Sequence, residues 1–326
     1  MDIIINSELA GLTVLQVIKR CTSVSAAHLK RLKFSERGIT VRGERVTVRY
    51  VLKDGDVLSL ATEDEESGES ATPTELPLDI VYEDENIVVP SKSANMPTHP
   101  SHGHYEDTVA NALAFKYQKE GRPFVFRPVN RLDRNTSGLL LIAKNRPSAA
   151  FLAKKMKDGE VKKVYLAILS GVPAESEGYI ETYMRRTAES IIVRENCAEG
   201  EGGDYALTLY KTLFSENGFS LVAASPVTGR THQLRVHFSG IGCPLIGDDM
   251  YGEPSDIIDR HALHSTALRL PLPFSGEALM LRAPMPDDMR KAAEKLFPSL
   301  NDRDDVYSAA AELLDKTLKQ KKDEMK

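Results

Sequence analysis

Residues 129–141 read VNRLDRNTSGLLL. Asp133 stands just before Asn135–Gly138, and that run leads into three leucines, Leu139, Leu140 and Leu141. Asn, Ser and Gly together mark a tight turn, and a short apolar run bounded by turn signals reads as a buried strand. A carboxylate at this place is expected on a rigid platform at the mouth of a cleft. Arg131 and Arg134 flank it, and nearby positive charge favours an ionised carboxylate. Spacing alone leaves two readings open. Asp133 caps the turn, as Asp commonly does, or it carries chemistry.

The neighbouring segments extend this reading. LDIVYEDENIVVPSKS (78–93) reads as a strand pair turning at EDEN, and DTVANALAFKYQKE (107–120) as an amphipathic helix. SGLLLIAKN (137–145) reads as one buried strand, RPSAAFLAKKMKDGEV (146–161) as a helix, and VYLAILSG (164–171) as a strand. YIETYMRR, SIIVREN, YALTLYKTL, FSLVAASPV and THQLRVHFSG follow as strand-like runs. Strand runs with interspersed helices and no regular βα alternation predict an α+β fold with a mostly antiparallel mixed sheet and flanking helices.

Residues 1–60 read as a separate small α+β module. Leu12, Leu15 and Ile18 form one helical stripe, and Ala26, Leu29 and Leu32 form a second. Short strands follow, with turns at Arg42-Gly43 and Asp54-Gly55. Residues 61–77, ATEDEESGESATPTELP, carry almost no large apolar groups and read as a flexible acidic linker. Residues 78–300 form the main domain, and 301–326 read as a helical tail.

The formal net charge is −5, but it is unevenly placed. Basic residues far outnumber acidic ones between Lys116 and Lys163. A basic face on an acidic protein suits a polyanion, although a solvated helix face reads the same way. Cys21, Cys197 and Cys243 form no CxxC pair, so neither a disulfide framework nor a cysteine-rich zinc site is indicated. No signal peptide or membrane-length apolar run is read, which fits a cytoplasmic protein.

Four ordered segments carry a resemblance. RLDRNTSGLLL resembles the hallmark motif of the RluA-type pseudouridine synthases. LDIVYEDENIVVPSKSANMPTHPS, VKKVYLAILSG and SPVTGRTHQLRVHFSGIGCPLIGDDMYG are similar to three further family segments, in the family's order. Residues 11–60 resemble the small S-four-like RNA-binding module. The resemblance implies an RNA-modifying isomerase of the pseudouridine synthase fold that converts uridine to pseudouridine in structured ribosomal or transfer RNA. It implies RNA as partner, neither membrane nor DNA, and no metal or other cofactor; a monomer is expected.

Asp133 would be the catalytic carboxylate, Arg235 would pair with it, and Tyr165 would pack against uracil and help remove the C5 proton. Arg131 and Leu132 would enter the RNA and hold the target base out of its stack. Asn130, Arg134, Thr136, Lys92, Arg230, His232 and Gln233 would bind substrate, with Lys30, Arg31 and Lys33 of the first module also on RNA. Without the resemblance, Tyr165 reads equally as a core tyrosine and Arg235 as a surface strand arginine. The chain departs from the family at Asn130, usually His, at Ser91, usually Asn, and at Ser93, usually Pro. These departures motivate the alternative of a non-catalytic RNA-binding or ribosome-assembly protein on the same fold. A glycoside hydrolase would want a second paired carboxylate, and no comparable acid motif presents itself. His99, His102 and His104 share one loop without a partner cluster, so they read as polar loop residues near an RNA groove.

Overall fold

The computed structural model describes residues 2–22, 24, 29, 32–33, 38–61, 71–190 and 192–300. The N-terminal module comprises β1 (Asp2–Ile4), α1 (Val14–Cys21), β2 (Ile39–Val41), β3 (Glu44–Arg45) and β4 (Val57–Leu60). Its sheet runs β1-β4-β2-β3, antiparallel throughout. α1 starts at Val14 because Thr13 and Gln16 form a reciprocal capping box. Val14, Val17 and Ile18 then pack on Ile39, Val41 and Leu58 in a core of the module's own. Arg42 and Gly43 both take positive φ, 51° and 83°, which makes the tight β2–β3 turn. The second helix expected here lies mostly outside the described residues, as does the expected helical tail.

Further along lie β5 (Asp79–Glu83), β6 (Ile87–Lys92), α2 (Val109–Lys119), β7 (Arg127–Pro128), β8 (Ser137–Leu139), β9 (Ile142–Ala143) and α3 (Arg146–Lys157). They are followed by β10 (Lys162–Ser170), β11 (Glu177–Arg186), β12 (Arg194–Cys197), β13 (Asp204–Glu216), β14 (Phe219–Pro226), α4 (Gln233–Gly240), β15 (Leu263–Pro271), β16 (Ala278–Arg282) and α5 (Asp287–Leu296). The strands form one sheet ordered β12-β11-β13-β14-β10-β15-β8-β6-β9-β7, with β16 on β15 and β5 on β6. The described pairings are antiparallel except β15 with β8, which is parallel at His264–Ser137 and Ser265–Gly138. This is the expected α+β fold. No helix among the described residues is long and apolar enough to cross a membrane.

The central strand β10 explains how the two faces are filled. Successive side chains of a strand point to opposite faces. Tyr165, Ala167 and Leu169 join the core shared with α2 and α4, while Val164, Leu166 and Ile168 join the core under α5. Burying one such Val, Leu or Ile contributes roughly 1.5–3 kcal/mol.

Three expectations are corrected. THQLRVHFSG is not a strand: Gln233–Gly240 is the helix α4. SGLLLIAKN is interrupted at Leu140 and Leu141: β8 and β9 both pair with β6 in one register, while the other neighbour changes from β15 to β7. Residues 71–77 do not behave as a linker. Asn111 Nδ2 donates to the Thr72 carbonyl at 2.8 Å, and Leu76 packs on the main core. The expected linker's residues 62–70 lie outside those described.

Candidate active site

The loop between β7 and β8 carries Asp133, and the way its turn closes separates the two readings of that residue. Thr136 N–H donates to the backbone carbonyl of Asp133 at 3.1 Å, so the main chain closes the turn. Among the described residues the Asp133 carboxylate accepts no hydrogen bond. It reaches Arg235 Nη1 at 3.8 Å and His232 Nε2 at 3.9 Å, with 28% of its side chain exposed in a cleft. The loop is braced from beneath. The Thr98 hydroxyl donates to the Leu132 carbonyl at 2.9 Å, and Asn130 Oδ1 accepts the Leu141 N–H at 2.8 Å. Thr136 Oγ1 bonds His261 Nε2 at 2.8 Å.

The facing wall is α4 and the loop before it. Gln233 Nε2 donates to the Leu207 carbonyl and to Thr208 Oγ1, both at 2.9 Å, and its Oε1 accepts from Arg230 N and Thr228 Oγ1. His232 precedes the helix with φ 59°, a left-handed conformation that β-carbon sterics disfavour. Arg235 is buried and forks onto Asp248, Nε to Oδ2 at 2.7 Å and Nη2 to Oδ1 at 2.6 Å. Asp248 is itself fully buried. Burial alone would lower the guanidinium's pKa, but the bonds and charge of Asp248 outweigh it and the net shift is upward. Burial pushes Asp248 the other way, and Arg235 overcomes that too, holding the carboxylate below its ordinary range. Burial and the charges of Arg235 and Arg194 depress the His232 imidazole, against the pull of Asp133.

Between these walls lies a cleft of about 650 Å³. Tyr165 lines it from β10, and burial raises its phenol pKa well above normal, so the hydroxyl stays neutral. Arg131, Lys157, Lys163, Arg230, Arg235 and His232 also line it, against one carboxylate, Asp133. Lys163 is mostly buried, its ammonium makes no hydrogen bond or ion pair with side chains of the described residues, and burial lowers its pKa to about 8.

Residues 86–240 match the family model for RNA pseudouridylate synthase. A Bacillus subtilis (strain 168) protein described as uncharacterized RNA pseudouridine synthase YjbO is 38% identical over 268 residues, covering 82% of this chain and 94% of its own length. The ribosomal large subunit pseudouridine synthase D of Zymomonas mobilis is 36% identical over 240 residues, 70% of this chain and 75% of that one. The chain belongs to the RluA-type RNA pseudouridine synthases. A solved human structure, RNA pseudouridylate synthase domain containing 1, overlays this synthase with a TM-score of 0.56 at 29% identity, over 76% of this chain and 97% of that one.

The synthase brings Asp133, Tyr165, Arg235, Asn130, Arg131, Leu132, Thr136, Arg230, His232 and Gln233 to one cleft. Other expectations need correcting. Lys92 is buried and donates to three carbonyls, those of Ser93, Met96 and Arg134, at 2.8–2.9 Å, so it braces the loop instead of facing RNA. Gln233 and the Asn130 Oδ1 are engaged by the protein in the same way. Arg134 turns to Asn95, with Nε donating to Oδ1 at 2.8 Å. Arg235 hydrogen-bonds Asp248, and its approach to Asp133 is longer than a hydrogen bond. Lys33 is exposed on the N-terminal module, while Lys30 and Arg31 lie outside the described residues. No metal-binding group occurs among the described residues.

Four residues of the site were missed: Asp248, Tyr251, His261 and Lys163. The first two stand in GDDMYG at the spacing of the family's Gly-Asp-x-x-Tyr-Gly motif, but they received no role from the sequence.

Proposed function

We propose that this synthase isomerises uridines of large-subunit ribosomal RNA in the cytoplasm, with Asp133 as the carboxylate that meets the sugar. The observation that carries it is the state of that carboxylate. It is the cleft's one acid, the turn does not use it, and two nitrogen donors face it at 3.8 and 3.9 Å. The other nearby acid, Asp248, is buried and fully engaged by Arg235. Isomerisation breaks N1–C1′, with the bonding pair leaving on the base, then forms C5–C1′; the C5 proton departs and N1 gains one. An ionised carboxylate stabilises the developing positive charge at C1′, attacks that carbon, or takes a sugar proton. Tyr165, neutral and buried, suits packing against uracil better than proton removal. The cationic cleft suits RNA phosphate, with Lys163 an unpaired ammonium at its wall. The ribosomal reading is supported by relatives named for the large subunit, in Zymomonas mobilis and Borreliella burgdorferi. The S-four-like reading of residues 1–60 would add a second RNA contact through exposed Lys33 and Arg45.

Release of C5 tritium from [5-³H]uridine-labelled ribosomal RNA tests this. Asp133→Asn should abolish it, a loss of about three orders of magnitude or more. Residual activity within tenfold of wild type would remove Asp133 from the chemistry. Mapping pseudouridines with and without the gene identifies the RNA; changes confined to transfer RNA would refute the ribosomal assignment.

A further inference from the structure

Both groups that approach Asp133 rest on one side chain. The Arg235 guanidinium lies over the Tyr251 ring, 4.9 Å from its centroid. His232 Nδ1 lies 2.8 Å from the Tyr251 hydroxyl, with the two rings edge to face. The same hydroxyl accepts the Arg194 backbone N–H at 2.9 Å. Tyr251 is itself pinned: its N–H donates to Asp248 Oδ1 at 3.1 Å, and its carbonyl accepts from Ser239 Oγ at 2.7 Å.

The hydroxyl's bonds fix a proton. A phenol has one hydrogen to give. One lone pair takes the Arg194 N–H, and among the described residues His232 Nδ1 is the one acceptor within reach of that hydrogen. A neutral imidazole that accepts at Nδ1 carries its own proton on Nε2. Nε2 is the atom that faces Asp133 Oδ1 at 3.9 Å. The left-handed backbone at His232 turns the ring into this position.

We propose that Tyr251 is a positioning residue that holds His232 in the Nε2–H tautomer, aiming an N–H donor at Asp133 while its ring face steadies Arg235. Asp133 is thereby oriented from two sides: Arg235 approaches Oδ2 and His232 approaches Oδ1. His232 acts as a donor, not as the base that collects the C5 proton. The inference rests on the reading of Asp133 as the reacting carboxylate, but its first test does not need activity.

The experiment is long-range ¹H–¹⁵N correlation on the full chain labelled with ¹⁵N-histidine, with His232→Gln assigning the signal. At pH 7.5 wild type should show a neutral imidazole protonated at Nε2. Tyr251→Phe should show mixed tautomers at His232. A wild-type imidazole protonated at Nδ1, or at both nitrogens, overturns the proposal, whatever the enzyme does to RNA. In the tritium assay, Tyr251→Phe should lower kcat roughly tenfold or more, as misplaced tautomers do elsewhere, with KM within about twofold. An unchanged kcat also overturns it. An Asp133→Asn enzyme as active as wild type would indict the catalytic reading and leave the tautomer result standing.

Discussion

At the scale of single residues, Asp133 and Lys163 show opposite kinds of legibility. The sequence left Asp133 balanced between turn cap and reactive acid. The structure bears on the cap reading alone, through one backbone bond, Thr136 N–H to Asp133 C=O, which needs no side chain. Lys163 closed a run of basic residues that read equally as a polyanion-binding face or a solvated helix face. It lies instead on a strand and is buried, because β10 has sheet on both sides and packed cores above and below. Its ammonium lines the cleft beside the cationic wall, where an RNA phosphate would meet it. Lys163→Met should therefore raise KM by about tenfold with kcat little changed, and should flatten the salt dependence of RNA binding by about one phosphate contact. Titrating wild type and variant at several salt concentrations reads both. Equal KM and equal slopes would show that the ammonium meets no phosphate.

At the scale of elements, the strands came through in the sequence and the helix that carries Arg235 did not. Leu234, Val236 and Phe238 alternate with Arg235 and His237, which is the period of a half-buried strand. In the structure all six residues from Gln233 to Phe238 are buried, so no polar face marks a helix. The start signal is missing as well, since His232 supplies no side-chain cap. The three leucines hid the switch of one neighbour from β15 to β7, with β6 kept on the other side, for a related reason: a continuous apolar run carries no period at all. The junction of β8 with β15 depends on Gly138, at φ 108°, where an added Cβ would meet the Ser265 carbonyl oxygen at 2.2 Å. Backbone cannot yield as a side-chain tip does. Gly138→Ala should cost several kcal/mol, on the order of 3 or more, from strain and clash together. Urea unfolding checks this, and a midpoint within error of wild type would mean the two strands part easily.

For the whole molecule, the order of motifs carried the family and the fold class, while the internal electrostatics stayed invisible because they arise from residues far apart in the chain. His237, His261 and His264 are examples. Burial pulls them down to about 4, 3 and 4, so each is neutral in the folded state at neutral pH. The unfolded chain binds these protons near pH 6.5, so between that value and the folded pKa it holds more protons than the native state. Stability is therefore complete above pH 6.5 and falls as the pH drops towards 4, by at most about 1.4 kcal/mol per unit per histidine. Urea midpoints between pH 7 and 4.5 should show the decline, and His264→Gln should make it shallower; parallel curves for the two proteins would exclude His264 from the effect. The parallel junction of β8 with β15 has a further consequence, in time. Ser137 and its partner His264 are 127 residues apart in the chain. At roughly 5–20 residues per second, a ribosome needs on the order of 10 s to make that stretch. Throughout that interval the nascent chain holds Asp133 without the strand that anchors its loop, and for most of it without the helix bearing Arg235. The cleft around Asp133 is therefore incomplete until the last third of the chain is being made.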